Sequence, residues 1–370
     1  MLMQTYNRFN VTFIKGSGCR LYDGKGGEYI DFASGIGVNS VGYAHPAWVS
    51  AVSEQAAELA HVSNLYHAYP AEHLAARLTA LSGMSNVFFS NSGAEANEGM
   101  IKLARKYSRD KYGGGRSTIV TLKQSFHGRT VTTLSATGQD VFHNHFHPFT
   151  EGFIHVPAND ITALENIEDG VCAVMLEPVQ GEGGVLPLDA GCLRAVSKLC
   201  AERDWLLLLD EVQTGIGRCG AWFAYQSYGI IPDAVSFAKG IAGGLPLGGF
   251  MAGPKCEDVL QPGDHATTYG GNPVCCAAAL AVLDILKDAL PGVNAKGERL
   301  KQALTDIFGN ARGMGLMLGA TVNEPPRALA ERLLNSGLVC LTAGTDALRL
   351  LPPLIISDED IDAGIEILKG

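Results

Sequence analysis

Trp205-Leu206-Leu207-Leu208-Leu209-Asp210-Glu211 sets four consecutive leucines ahead of two acids. A short apolar run with no polar alternation reads as a strand buried on both faces, the kind found in a parallel sheet covered by helices. Similar short runs fall at 87–89, 117–122, 153–156, 173–177, 234–238 and 249–251, while 94–112 and 190–203 carry helical spacing. Strand alternating with helix predicts an α/β fold with a large, mainly parallel-sheet domain. After residue 273 the pattern changes to two long helices, 274–290 and 295–308, followed by strands near 316–322 and 348–351. These predict a smaller α+β domain whose sheet also receives N-terminal segments around 12–14 and 20–23. The expected division is 1–45 joining the small domain, 46–272 forming the large domain, and 273–370 supplying a linking helix and the rest of the small domain.

The 370 residues, 46% hydrophobic and 18% charged, suffice for two or three packed units and exclude a disordered chain. A net charge of −10 argues against nucleic acid or an anionic membrane as partner, since both need a basic face. Nine cysteines include no C-x-x-C pair, and Cys275-Cys276 are adjacent, so neither a zinc site nor a disulfide framework is indicated. Reduced thiols fit a cytoplasmic protein. The opening Met1-Leu2-Met3-Gln4-Thr5 has no apolar signal core, and no run of about 18 apolar residues follows.

Asp210 stands where a buried strand emerges at its carboxyl end, the edge at which open α/β sheets bind ligands. Three roles are compatible with that place: a metal-holding acid of a nucleotide hydrolase, an acid paired with a protonated ring nitrogen, or a helix cap. The first needs a phosphate loop, G-x-x-x-x-G-K-[ST], which this chain lacks. Further on, Ala234-Val235-Ser236-Phe237-Ala238-Lys239 ends a second strand in a lysine, followed by the glycine-rich Gly240-Ile241-Ala242-Gly243-Gly244. Lysine in water is a protonated, poor nucleophile, and desolvation moves it toward the free amine that Schiff-base chemistry uses; otherwise Lys239 is simply a solvated lysine starting a loop. Phe89-Ser90-Asn91-Ser92-Gly93-Ala94-Glu95 runs from a strand into a helix start, where unpaired amides and the helix dipole attract a phosphate or where Ser92 simply caps the helix. Thr267-Thr268-Tyr269-Gly270-Gly271-Asn272-Pro273 adds hydroxyls or is only a turn. His143-Asn144-His145-Phe146-His147 would set three imidazoles on one face of a strand, but beside Pro148 it reads as an exposed connection, and no metal is expected.

Taken together, Asn91-Ser92-Gly93-Ala94-Glu95-Ala96-Asn97, Ser125-Phe126-His127-Gly128-Arg129-Thr130, Glu177-Pro178-Val179-Gln180-Gly181-Glu182-Gly183-Gly184, Leu209-Asp210-Glu211-Val212-Gln213-Thr214-Gly215, Ala238-Lys239-Gly240 and Tyr269-Gly270-Gly271-Asn272-Pro273 resemble the class III, ornithine-type aminotransferases of fold type I, over nearly the whole chain. The resemblance implies a fold type I transferase that uses pyridoxal 5'-phosphate. Lys239 would carry the cofactor as a Schiff base and then move a proton, and Asp210 would pair with the pyridinium nitrogen. Phe126 would stack on the ring, Val212 and Gln213 would line its other side, and Ser92, Gly93 and Ala94 would hold the phosphate.

The same resemblance implies that Thr268 reaches the phosphate of a neighbouring subunit, so a homodimer with shared sites is expected, with Thr267 beside the substrate. Arg129 would grip the α-carboxylate of the donor. Arg349 would be masked by Glu182 until a dicarboxylate needs it. Within the family the wording lies nearest to members that transaminate N2-acetylornithine with 2-oxoglutarate in bacterial arginine biosynthesis, giving glutamate. Ile36, where ornithine-specific members carry a tyrosine, favours an acylated donor over free ornithine. Tyr43 and Cys219 depart from the common pattern. Succinylornithine, ornithine, 4-aminobutyrate or succinyldiaminopimelate as donor, or an aminomutase on the same scaffold, are the alternatives.

Overall fold

The computed structural model describes residues 1–167 and 169–370. Seven strands build the large sheet: β1 (Asn86–Ser90), β2 (Thr118–Leu122), β3 (Phe153–Val156), β4 (Val171–Leu176), β5 (Leu206–Asp210), β6 (Ala234–Phe237) and β7 (Gly248–Ala252). They lie side by side as β1-β7-β6-β5-β4-β2-β3. β2 to β6 pair in parallel, and β7 runs antiparallel to both β6 and β1. Each run singled out in the sequence is one of these strands. β4, β5, β6 and β7 are buried at every position, so their unbroken apolar character follows from helices on both faces. Helices α1 (Gly93–Tyr112) and α2 (Ala190–Arg203) supply part of that cover.

The two long helices expected after residue 273 are one, α3 (Pro273–Phe308), with Pro291 inside it. Proline removes a backbone donor and crowds the preceding turn, which is why the sequence suggested a break. Here both halves are committed to packing: Val282, Leu283 and Leu286 before the proline, and Val293, Leu300 and Leu304 after it, are all fully buried. Tertiary burial on both sides outweighs the local defect. Beyond α3, Arg312–Met314, Met317–Thr321, Ala347–Leu350 and Leu341–Ala343 form an antiparallel sheet. At the other end of the chain Phe13–Ser17, Arg20–Asp23 and Glu28–Asp31 form a meander whose last strand pairs in parallel with Leu338–Val339, Ile30 opposite Leu338. Tyr43, one of the unusual residues, donates from its hydroxyl to the buried Asp31 carboxylate at 2.7 Å and so ties this meander to the following loop.

Candidate active site

The carboxyl ends of β5 and β6 lie next to each other, Asp210 in register with Ser236, so Asp210 and Lys239 emerge at the same edge of the sheet. With the start of α1 they line one cavity of about 420 Å³ that also includes Ser92, Gly93, Ala94, Phe126, Arg129, Glu182, Val212 and Gln213. Asp210 is held on every side. Its Oδ2 accepts from Asn97 Nδ2 at 2.7 Å and lies 2.8 Å from His127 Nδ1, while Oδ1 accepts from the Val212 amide at 3.0 Å. Burial alone would push the His127 imidazolium down, but the neighbouring Asp210 carboxylate more than offsets it, and the pKa is raised. Glu211, the second acid of the opening motif, turns the opposite way and accepts from the amides of Ala224 at 2.7 Å and Tyr225 at 2.8 Å. The tandem acids therefore divide into one that faces the cavity and one that holds a loop.

Lys239 sits on a left-handed turn, φ +42°, separated from the end of β6 by Ala238 alone. A non-glycine residue there costs about 1–3 kcal/mol of local strain and persists only where its surroundings impose it. The turn is pinned by Ser40 Oγ donating to the Gly240 carbonyl at 2.6 Å and by Trp48 Nε1 donating to the Ala242 carbonyl at 3.1 Å. Burial lowers the pKa of the Lys239 amine, with the charge of Glu182 acting against it. That is the direction a nucleophilic or proton-moving lysine requires.

At the start of α1, Ser92 accepts from the Glu95 amide at 3.2 Å, and Glu95 in turn accepts from the Asn91 amide at 2.9 Å. Ser92 is thus a cap in its own right. The first-turn amides of Gly93 and Ala94 have no acceptor within the helix and point an electropositive end into the cavity. A Cβ on Gly93 would stand 2.6 Å from Val212 Cγ1, so the helix start is pressed against the wall formed by Val212.

Arg349, on the strand Ala347–Leu350, is 2% exposed and donates from Nη1 to Glu182 Oε1 at 2.6 Å and from Nη2 to Oε2 at 3.3 Å. Gln213 joins both, accepting from Arg349 at 3.3 Å. Burial would raise the Glu182 pKa, but the Arg349 charge overrides it and the carboxyl is held below its ordinary value. Arg129 lies exposed at the rim. Thr267 and Thr268 lie apart from Lys239, in a surface depression with Phe88, Asn91, Glu95 and Glu98. Ile36, in a left-handed run from Ser34 to Gly37, is 42% exposed, two residues before Val38, which lines the cavity. Residues 143–147 form no strand, and His143 instead bonds the Leu134 carbonyl at 2.9 Å.

Sequence reasoning assigned no role to His127, Asn97 or Glu177, although all three stand inside quoted motifs. Glu177 is 6% exposed, accepts from the Phe126 amide at 2.8 Å, and is pushed up to about 7 by burial. The missing signal is the path of the loop: only the fold shows that His127 reaches Asp210 while its neighbour Phe126 lines the cavity.

A buried lysine and a carboxylate at adjacent strand ends, facing a helix start across one cavity on this sheet order, define a fold type I transferase. The class-III aminotransferase family model matches residues 2–370. Acetylornithine aminotransferase of Haemophilus ducreyi is 50% identical over 99% of this chain and 95% of its own length. Among solved structures, ornithine aminotransferase from Toxoplasma gondii, with pyridoxal phosphate at partial occupancy in its active site, superposes with a TM-score of 0.94 at 29% identity over 100% of this chain and 91% of that one. N-acetylornithine aminotransferase from Stenotrophomonas maltophilia gives 0.85 at 36% identity over 98% and 96%. The chain belongs to the class III aminotransferases.

The cofactor of such enzymes is pyridoxal 5'-phosphate, and the residues present fit it. An amine of lowered pKa suits its aldehyde, the Asp210 carboxylate suits its ring nitrogen, and the free amides at the start of α1 suit its phosphate.

Proposed function

We propose that this chain transaminates N2-acetylornithine with 2-oxoglutarate, giving N-acetylglutamate 5-semialdehyde and glutamate, as a cytoplasmic step of arginine biosynthesis. The observation that carries the reading is the unequal treatment of two arginines: Arg349 is masked by Glu182, while Arg129 is open. One site must serve a donor with a neutral acyl arm and an acceptor with a second carboxylate. A cation that is paired until a dicarboxylate arrives meets that requirement, because an unpaired buried arginine beside a neutral arm would be costly. The names of the relatives support the same donor.

Bound in the cavity, pyridoxal phosphate supplies an electron sink for the carbon that loses its proton. Lys239 would hold it through its amine, whose lowered pKa also suits it to take a proton from the substrate carbon and give it back. Asp210, fixed by Asn97 and His127, would keep the ring nitrogen protonated. Gly93 and Ala94 would hold the phosphate, Phe126 would cover one face of the ring, and Val212 with Gln213 would line the other side.

Two copies would complete each site. Thr268 lies beside an exposed apolar patch of Leu65, Tyr66, Tyr69 and Tyr269, which favours burial against a second chain and would bring Thr268 to the partner's phosphate. Thr267 would come near the partner's substrate. Nine free cysteines fit a reducing cytoplasm, and no helix among the described residues is long and apolar enough to cross a membrane. Pairing of the N-terminal meander with Leu338–Val339 supports a small domain assembled from residues 1–45 and 273–370 around a large domain of 46–272.

The test is a comparison of half-reactions with acetylornithine, succinylornithine, ornithine, 4-aminobutyrate and succinyldiaminopimelate by kcat/KM. Acetylornithine is expected to lead, and a higher value for any other donor reassigns the substrate. Turnover without any 2-oxo acid would point to an aminomutase instead.

A further inference from the structure

Arg129 is exposed, and among the described residues no carboxylate pairs with it, whereas the buried charges at Asp210 and Arg349 are both paired. What fixes its side chain is aromatic. The Arg129 guanidinium carbon stands 3.9 Å from the centre of the Phe142 ring and 5.5 Å from that of Phe126. Phe142 in turn meets Phe126 edge to face, with centroids 5.8 Å apart and planes at 76°. The short turn Asp140–Phe142 that carries this ring is fastened to the same region: Gln139 Nε2 donates to the Ser125 carbonyl at 3.0 Å, and His143 Nε2 lies 2.9 Å from the Leu134 carbonyl.

We propose that Phe142 is a positioning residue for the substrate carboxylate, acting by holding the Arg129 guanidinium over its ring at the edge of the cavity. This rests on the reading of Arg129 as the grip on the donor's α-carboxylate. An exposed arginine has several free rotors, and fixing them before binding removes part of the entropy lost when a carboxylate is captured. An aromatic face does this without using any of the five in-plane N–H donors. An acidic partner would orient the side chain equally well but would compete with the substrate, which is the arrangement found at Arg349. The two arginines are thus prepared in opposite ways. One is reserved by an acid for a particular substrate, and the other is kept ready for a carboxylate by a group that cannot compete for it.

The experiment uses the holoenzyme and its Phe142→Leu, Phe142→Tyr and Arg129→Ala variants. Isothermal titration with N-acetylnorvaline, which keeps the α-carboxylate and acyl arm but lacks the terminal amine, gives Kd, and steady-state rates with N2-acetylornithine give kcat and KM separately. Phe142→Leu is expected to raise Kd and KM by roughly three- to tenfold with kcat within about twofold, the size of a partly exposed cation–π contact, and Phe142→Tyr is expected to restore both. An unchanged Kd in Phe142→Leu, with weakened binding in Arg129→Ala, overturns the role of Phe142 alone. A fall in kcat without a change in Kd, or an equal defect in Phe142→Tyr, also overturns it. An unchanged Kd in Arg129→Ala removes the underlying assignment of Arg129 and this inference with it.

Discussion

Replacing Glu182 with glutamine keeps the side-chain shape and removes the charge that masks Arg349. The Arg349 side chain is 3% exposed and that of Glu182 28%, and both guanidinium ends bond the carboxylate. Breaking a fully buried pair by neutralising one partner costs about 3–5 kcal/mol. Access of solvent to Glu182 lowers this to about 2–3 kcal/mol, since the screened side of the pair is worth less. On the proposed reading, a dicarboxylate entering the wild type has to displace Glu182 and forgoes that amount. In Glu182→Gln it faces an arginine left with Gln213 at 3.3 Å, and it should recover the difference. At 1.4 kcal/mol per tenfold, the affinity for a dicarboxylate is expected to rise roughly 30- to 150-fold. The assay is isothermal titration of the holoenzyme with glutarate, which fills the site without reacting, set beside N-acetylnorvaline, whose neutral arm should bind within about twofold of wild type. Equal shifts for both probes, or no shift for glutarate, would refute the idea that Glu182 guards Arg349.

Three further outcomes follow from the site. Lys239→Ala should abolish turnover while leaving the fold intact, and borohydride reduction of wild type should tag the peptide carrying Lys239; a tag on another lysine contradicts the assignment. Asp210→Asn should cut kcat by about 10²–10³-fold, as loss of a placed electrostatic partner does, with a much smaller effect on thermal stability; unchanged kcat with cofactor fully bound rules the role out. His127→Asn keeps a donor to Asp210 but cannot become charged. Because the His127 pKa is raised in the fold, its stabilising contribution is complete below the unfolded value of about 6.5 and is lost as pH rises through the folded value. The stability gap between wild type and His127→Asn, from urea titration, should therefore be wider near pH 5.5 than near pH 8.5, and a gap independent of pH contradicts the pairing.

The large sheet was legible because its central strands are buried on both faces, so that Leu206 to Leu209 and Ala173 to Leu176 announce themselves without any partner being known. The meander and the C-terminal sheet were only partly legible. Glu28–Asp31, Arg312–Met314 and Leu341–Ala343 are three or four residues long, too short for a period to show. The continuity of α3 through Pro291 was hidden for a different reason, since the deciding term is what both halves pack against. Within the site, Lys239 and Asp210 could be found because each ends an apolar strand, and their contact with one cavity follows from adjacent strand order. The roles of His127, Asn97 and Phe142 could not be found, because each depends on the path of a loop relative to a distant element.

The parallel pairing of Ile30 with Leu338 has a consequence for how the chain is made. Contacts of very long sequence separation form slowly, because loop closure is completed before they contribute. On a ribosome adding about 5–20 residues per second, the meander at the N-terminus waits on the order of 15–60 s for the strand that completes its sheet. During that time the edge of Glu28–Asp31 is open to pairing with another nascent chain. Expression yield should accordingly respond to translation speed and to holding chaperones more strongly than the stability of the finished fold would suggest.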